Sequence, residues 1–139
     1  MSGLNMGDAL IELGAASFAA GDRLTLARPF PFRVYGWGFY VNTTAVSATA
    51  FTARLARNVI ATATRTNGIG GKTFSTAAAA QALGRVLEVV PTLPLDFAVG
   101  EQAIVEIQTA PGAGSGQAFI LYRPQTTGLG NALRFDMSV

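Results

Sequence analysis

Short segments in which apolar and polar residues alternate recur along the chain, separated by glycine, proline and aspartate, and only one short stretch has helical character. A period of two marks a strand with one buried face, because successive side chains of an extended chain point to opposite sides. From Arg23 to Arg28, Leu24 and Leu26 alternate with Arg23, Thr25 and Ala27, after a turn at Gly21 and Asp22. From Ala103 to Thr109, Ala103, Val105 and Ile107 alternate with Ile104, Glu106 and Gln108. Ala9 to Leu13, Arg85 to Val90, Ala118 to Tyr122 and Leu133 to Val139 read as further strands, and Gly112 to Gly116 as a turn. Pro29 and Pro31 cannot donate to a ladder, so they make a stiff corner before an aromatic strand from Phe32 to Val41. Strict alternation there puts Val34, Gly36, Gly38 and Tyr40 on one face and Arg33, Tyr35, Trp37, Phe39 and Val41 on the other.

Ala45 to Arg65 reads as a hairpin interrupted near Arg57 and Asn58, and glycines 68, 70 and 71 mark a loop. Thr76 to Leu83 is the one helical candidate, alanine-rich and closed by Gly84. Eight or nine strands with at most one short helix leave no helical crossovers for a parallel sheet. The expected fold is all-β, an antiparallel β-sandwich. Jelly-roll and immunoglobulin-like sandwiches both fit, and the long corners at Pro29 to Pro31 and Pro91 to Val99 favour the jelly roll. A length of 139 residues suits one domain. Within it, residues 1–20 read as an N-terminal leader and edge strand and residues 21–139 as the sandwich.

Composition bears on what such a sandwich does. Half of the residues are hydrophobic and 13% are charged, yet no segment has the length and apolarity of a membrane span. A soluble domain ordinarily carries about a quarter charged residues. Part of this surface is therefore expected to be covered by other protein. Cysteine and histidine are both absent, which removes thiolate chemistry, the commonest general base and the commonest transition-metal ligand. The eight carboxylates show no hydrolase pairing or calcium-loop spacing, so no enzyme activity, cofactor or metal is expected. Nine arginines and Lys72 are spread along the chain without the stripe that a phosphate backbone demands, so nucleic acid is not an expected partner, nor is a membrane.

Three glycine-rich or aromatic motifs could carry chemistry. Thr66 to Thr73 ends in Gly71, Lys72 and Thr73 like a phosphate-binding loop, but the first required glycine is Thr66 and only 66 residues follow Thr73. It reads as a glycine-rich loop. Tyr35 to Tyr40 could stack Tyr35, Trp37 and Phe39 on sugar rings if that face is open; if closed, these three are core or oligomer contact, the preferred reading. Gly112 to Gly116 lacks dinucleotide-loop spacing. Asn42 to Thr44 is a sequon read as a polar turn, since the first residues lack signal-peptide character.

A cysteine-free chain rich in Ala, Thr, Val and Gly, with arginine over lysine, the stretch Pro29 to Val41 and the later Gly100 to Thr109, resembles the head decoration, or cement, proteins of tailed bacteriophages. The resemblance is one of overall texture over most of the chain. It implies a structural virion protein, often a homotrimer, made in the bacterial cytoplasm and seated on the outer capsid surface, where its partner is the major capsid protein of the same virion. The leader with its first strand is the expected attachment segment, with Leu4, Asp8, Leu10, Ile11 and Glu12 as contact residues and the two acids meeting basic groups on the shell. Two alternatives use the same fold. One is a glycan- or receptor-binding module of a phage tail, which needs Trp37 or Tyr122 exposed; the other is a single jelly-roll capsid protein, weakened by the lack of a basic arm for nucleic acid.

Overall fold

The computed structural model describes residues 9–44, 51–74, 84–92, 95–111 and 113–125. Among them are nine strands and one short 3-10 turn: β1 (Leu10–Ala16), β2 (Arg23–Leu26), β3 (Phe32–Thr44), β4 (Phe51–Val59), the turn (Ile60–Thr62), β5 (Thr64–Phe74), β6 (Val86–Val89), β7 (Leu95–Phe97), β8 (Glu101–Thr109) and β9 (Ser115–Pro124). All the strand pairings are antiparallel.

The strand order is that of one long hairpin rolled over itself. At its tip β4 pairs with β5; moving outward, β3 pairs with β6 and β7, β2 with β8 and β1 with β9. Rolling then adds two pairings, β3 with β9 and β4 with β8. The result is a first sheet ordered β1-β9-β3-β6, with β7 also on β3, and a second ordered β2-β8-β4-β5. Since β6 and β7 occupy successive stretches of the same neighbour, they act as one interrupted strand, and eight strand positions in two four-strand sheets make a jelly roll.

Inner faces meet in one apolar core. Leu24 and Leu26 of β2 and Ala103, Val105 and Ile107 of β8 point inward, as their alternation requires. From the first sheet come Phe32, Val34, Trp37, Phe39 and Val41 of β3 and Ala118, Ile120 and Tyr122 of β9. Chain corners seal the gap between the sheets. Where β1 crosses to β2, Phe18 adopts a left-handed backbone (φ 57°) and buries its ring between Phe39 of one sheet and Phe51 of the other, with centroids 5.3 and 5.4 Å away. Such a backbone is unfavourable for a bulky residue and is held here by burial together with the Asp22 carboxylate, which accepts a 2.6 Å hydrogen bond from the Ser17 amide. At the other corner Phe32 stacks on Phe97 at 5.1 Å.

Several expectations require correction. The parity of β3 changes midway, because Val34 faces Tyr122 while Gly36 faces Leu121, so Tyr35 is the extra residue of a bulge. Phe32 and Val34 therefore share the inner face with Trp37, Phe39 and Val41, and Arg33 and Tyr35 do not. The hairpin reverses at Ile60 to Ala63, with Arg57 and Asn58 inside β4. Glycines 68, 70 and 71 lie within β5: Gly70 pairs with Leu55 and Gly71 with Arg54, where the ladder outweighs glycine's poor strand preference, and Gly68 falls in the register irregularity between Thr66 and Gly70. No phosphate cradle forms within an antiparallel strand. The corner from Pro91 to Val99 contains β7, and Gly116 belongs to β9. The helical candidate Thr76 to Leu83 and the strand Leu133 to Val139 lie outside the described residues.

Candidate functional site

Nearly every described acid has a partner. Of the eight carboxylates, Glu12, Asp22, Glu88, Asp96, Glu101 and Glu106 are among the described residues. Arg28 donates to Glu12 at 2.6 Å and to the Tyr122 hydroxyl at 2.9 Å, and both bonds raise the arginine's pKa, the tyrosine's more. Arg33 donates twice to Asp96, at 2.6 and 3.1 Å, which holds that carboxyl below its ordinary value against the opposing effect of burial. Glu101 accepts from the Ala98 amide at 2.7 Å and lies 3.7 Å from Arg57. Glu106, only 7% exposed, has Arg54 and Arg65 each 2.5 Å from Oε1. Burial pushes its carboxyl up, but the two arginines outweigh burial and the net direction is down. Glu88 alone has no hydrogen bond or ion pair among the described residues. No three acids there are grouped to hold a metal.

The two outer faces of the sandwich differ in kind. On the second sheet the Arg54–Glu106–Arg65 cluster is joined by Asn58 donating to Gln102 at 2.8 Å and by the Thr52 and Thr109 hydroxyls 2.7 Å apart. Among the described residues that face ties most of its polar side chains to one another, with Arg65 Nη2 held against Glu106 as an ion pair without a hydrogen bond. On the first sheet the outward positions are Ile11 and Leu13 of β1, Gln117, Phe119 and Leu121 of β9, Tyr40 of β3, and Val86 and Glu88 of β6. Together they line a trough of about 430 Å³. Ile11, Leu13 and Val86 are 53%, 47% and 56% exposed, far more than large apolar side chains in a core. The middle of the trough is low because β3 contributes Gly36 and Gly38 there, opposite Leu121 and Phe119. At Gly38 even a methyl group would collide with the Leu87 carbonyl of β6.

Residues singled out from sequence are divided by this arrangement. Ile11 lies on the trough, at the edge of the sheet. Leu10 is half-exposed at the start of the same strand, and Glu12 points the other way, its carboxylate paired with Arg28. Leu4 and Asp8 lie outside the described residues. Residues 10–18 are integral to the sandwich, since β1 pairs with β9 over seven positions and Ala16 and Phe18 reach the core. Trp37 and Phe39 are core, at 0% and 1% exposure. Tyr35 is not core: the bulge turns it outward, 38% exposed, with the Arg123 guanidinium 4.8 Å from its ring centre. With Trp37 and Tyr122 both buried, the aromatic platform that a sugar-binding reading needs is closed.

Sequence patterning alone does not single out most of the trough, but it carries one signal. Ala118 to Tyr122 is apolar at every position, unlike the alternating β2, and a strand apolar on both sides has something to cover on each. Comparison of the chain with protein-family models, with curated proteins and with solved structures gives no match.

Proposed function

We propose that this chain is a structural virion subunit, a cement protein that seats on the outer surface of a phage head and stabilises the shell by binding its major capsid protein. The observation that carries this reading is the contrast between the two sheet faces. Among the described residues one ties its acid and most of its polar side chains into ion pairs and hydrogen bonds, while the other leaves Ile11, Leu13, Tyr40 and Val86 standing in solvent around an apolar trough. A patch of that kind on a folded domain marks a contact with another macromolecule. The chain's chemical poverty supports a structural role over catalysis, because it has no histidine or cysteine and all but one of the described acids are tied into the fold.

A homotrimer serves this role, since linking weak footholds in one body raises the strength of attachment by about 10²- to 10⁴-fold for a linked pair. The first test is native mass by light scattering, expected at three times 14.4 kDa. The second is co-sedimentation with expanded, empty phage heads. A stable monomer at micromolar concentration that stays in the supernatant counts decisively against the proposal.

A further inference from the structure

We propose that the trough on the first sheet takes a short apolar segment of a partner protein that carries one lysine or arginine, and that Glu88 is the group that selects it. The inference rests on this face being a docking surface, and does not depend on the partner being a capsid shell.

Glu88 stands on β6 opposite Gly38, and its side chain lies back over β3. A methyl group built at Gly36 would come within 2.8 Å of Glu88 Oε1 and 3.4 Å of Leu121 Cδ1. The carboxylate thus rests over bare backbone beside an apolar side chain, inside the trough. It has no hydrogen bond or ion pair among the described residues, although five other described acids do. While the trough is open, water solvates this charge. Once a partner covers it, the charge loses water, and an unpaired buried carboxylate is strongly unfavourable. Whatever fills the trough must therefore bring a counter-charge.

Other sources of that charge fit less well. A divalent cation prefers several oxygen ligands, and Glu88 is the only acid among the described residues that line the trough. Gln117, the other polar side chain there apart from Tyr40, already accepts a 3.2 Å hydrogen bond from Asn42. A basic side chain needs a single carboxylate. The sheet geometry also gives its place in the segment. From β1 to β6 are three strand spacings, roughly 14 Å at ~4.8 Å each, which an extended chain crosses in about four or five residues. Glu88 lies toward the β6 side, so the basic residue sits at one end. Apolar residues two and four positions away then fall over Phe119, Leu121, Ile11 and Leu13.

The test uses the whole chain and two capped heptapeptides that alternate threonine with other residues. Both carry two apolar residues and differ only at one position, lysine in one and glutamine in the other. Binding is followed by NMR shifts of the isotope-labelled protein. The lysine peptide is expected to shift Ile11, Leu13 and Leu121 and to bind about tenfold more tightly than its glutamine counterpart. Glu88→Gln should erase that difference with the native spectrum otherwise retained. Equal binding of the two peptides, absence of trough shifts with both, or a lysine preference that survives in Glu88→Gln overturns the proposal. So does a native mass that drops in Glu88→Gln when neither peptide binds, because a second copy is then the occupant. A lysine preference lost in Glu88→Gln, together with failure to sediment with phage heads, leaves this inference standing and removes the cement reading.

Discussion

Trp37 is fully buried between the sheets, and its indole N–H has no hydrogen-bond partner among the described residues. Trp37→Ala is expected to cost about 3 to 5 kcal/mol in urea unfolding, the range for deleting a large core aromatic. Trp37→Phe should cost much less, since it removes an unpaired buried donor along with the volume. The native protein's tryptophan emission should be that of a buried indole; a fully solvated spectrum contradicts this placement. Glu106 gives a pH prediction. Its carboxyl is pushed up by burial and, more strongly in total, down by Arg65 and Arg54, so its folded pKa lies below the ordinary 4.5. A lowered folded pKa means the unfolded chain binds the proton more readily. Stability from this group is therefore complete above the unfolded value and is lost as pH falls through the folded one. Glu106→Gln should lower stability at pH 7, where it strands two arginines, and flatten the loss of stability in acid; an unchanged acid slope in urea midpoints measured from pH 6 to 3 contradicts this.

At the scale of elements, β6 depends on a single neighbour among the described residues. It has four residues, sits at a sheet edge and meets β3 where Gly38 lets the Leu87 carbonyl come close. Gly38→Ala must push the strands apart, because the atom in the way is backbone and cannot rotate aside. The expected result is a loss of at least about 1 to 3 kcal/mol, the range for overpacking, together with selective loss of hydrogen-exchange protection at Leu87 and Val89. Protection equal to the unsubstituted chain would show that β6 does not rely on this contact. β3 carries the opposite lesson. Its bulge at Tyr35 turns one aromatic out to Arg123 and keeps Phe32, Val34, Trp37 and Phe39 on the same side, so a single inserted residue reconciles two stretches whose alternation is out of phase.

For the molecule as a whole, the jelly roll separates stability from association. The core lies between the sheets, and the trough lies outside it. Ile11→Thr with Leu13→Thr alters two half-exposed side chains on an edge strand while keeping strand-forming residues. The pair should change unfolding free energy by no more than about 1 kcal/mol, as for substitutions away from the core, yet lower native mass or head binding measured by sedimentation. Loss of folding instead would mean that β1 is held in place through this face.

In β2, and in β8 apart from the apolar outward Ile104, alternation along the chain is enough to tell which residues face the core. The same periodicity, with turn residues between strands and no helical crossovers, determined the all-β sandwich. Pairing decided the rest. The bulge at Tyr35 exists only relative to β9, and the glycines of β5 form a strand only because β4 supplies its ladder. Glu106 finds Arg54 and Arg65 across sheet neighbours far away in sequence. Likewise the trough needs four strands whose order in space is not their order in the chain. Alternation is a property of one strand and can be read from neighbouring residues. Register and strand order are choices among distant segments, settled when the whole chain finds the arrangement that buries its inner faces together.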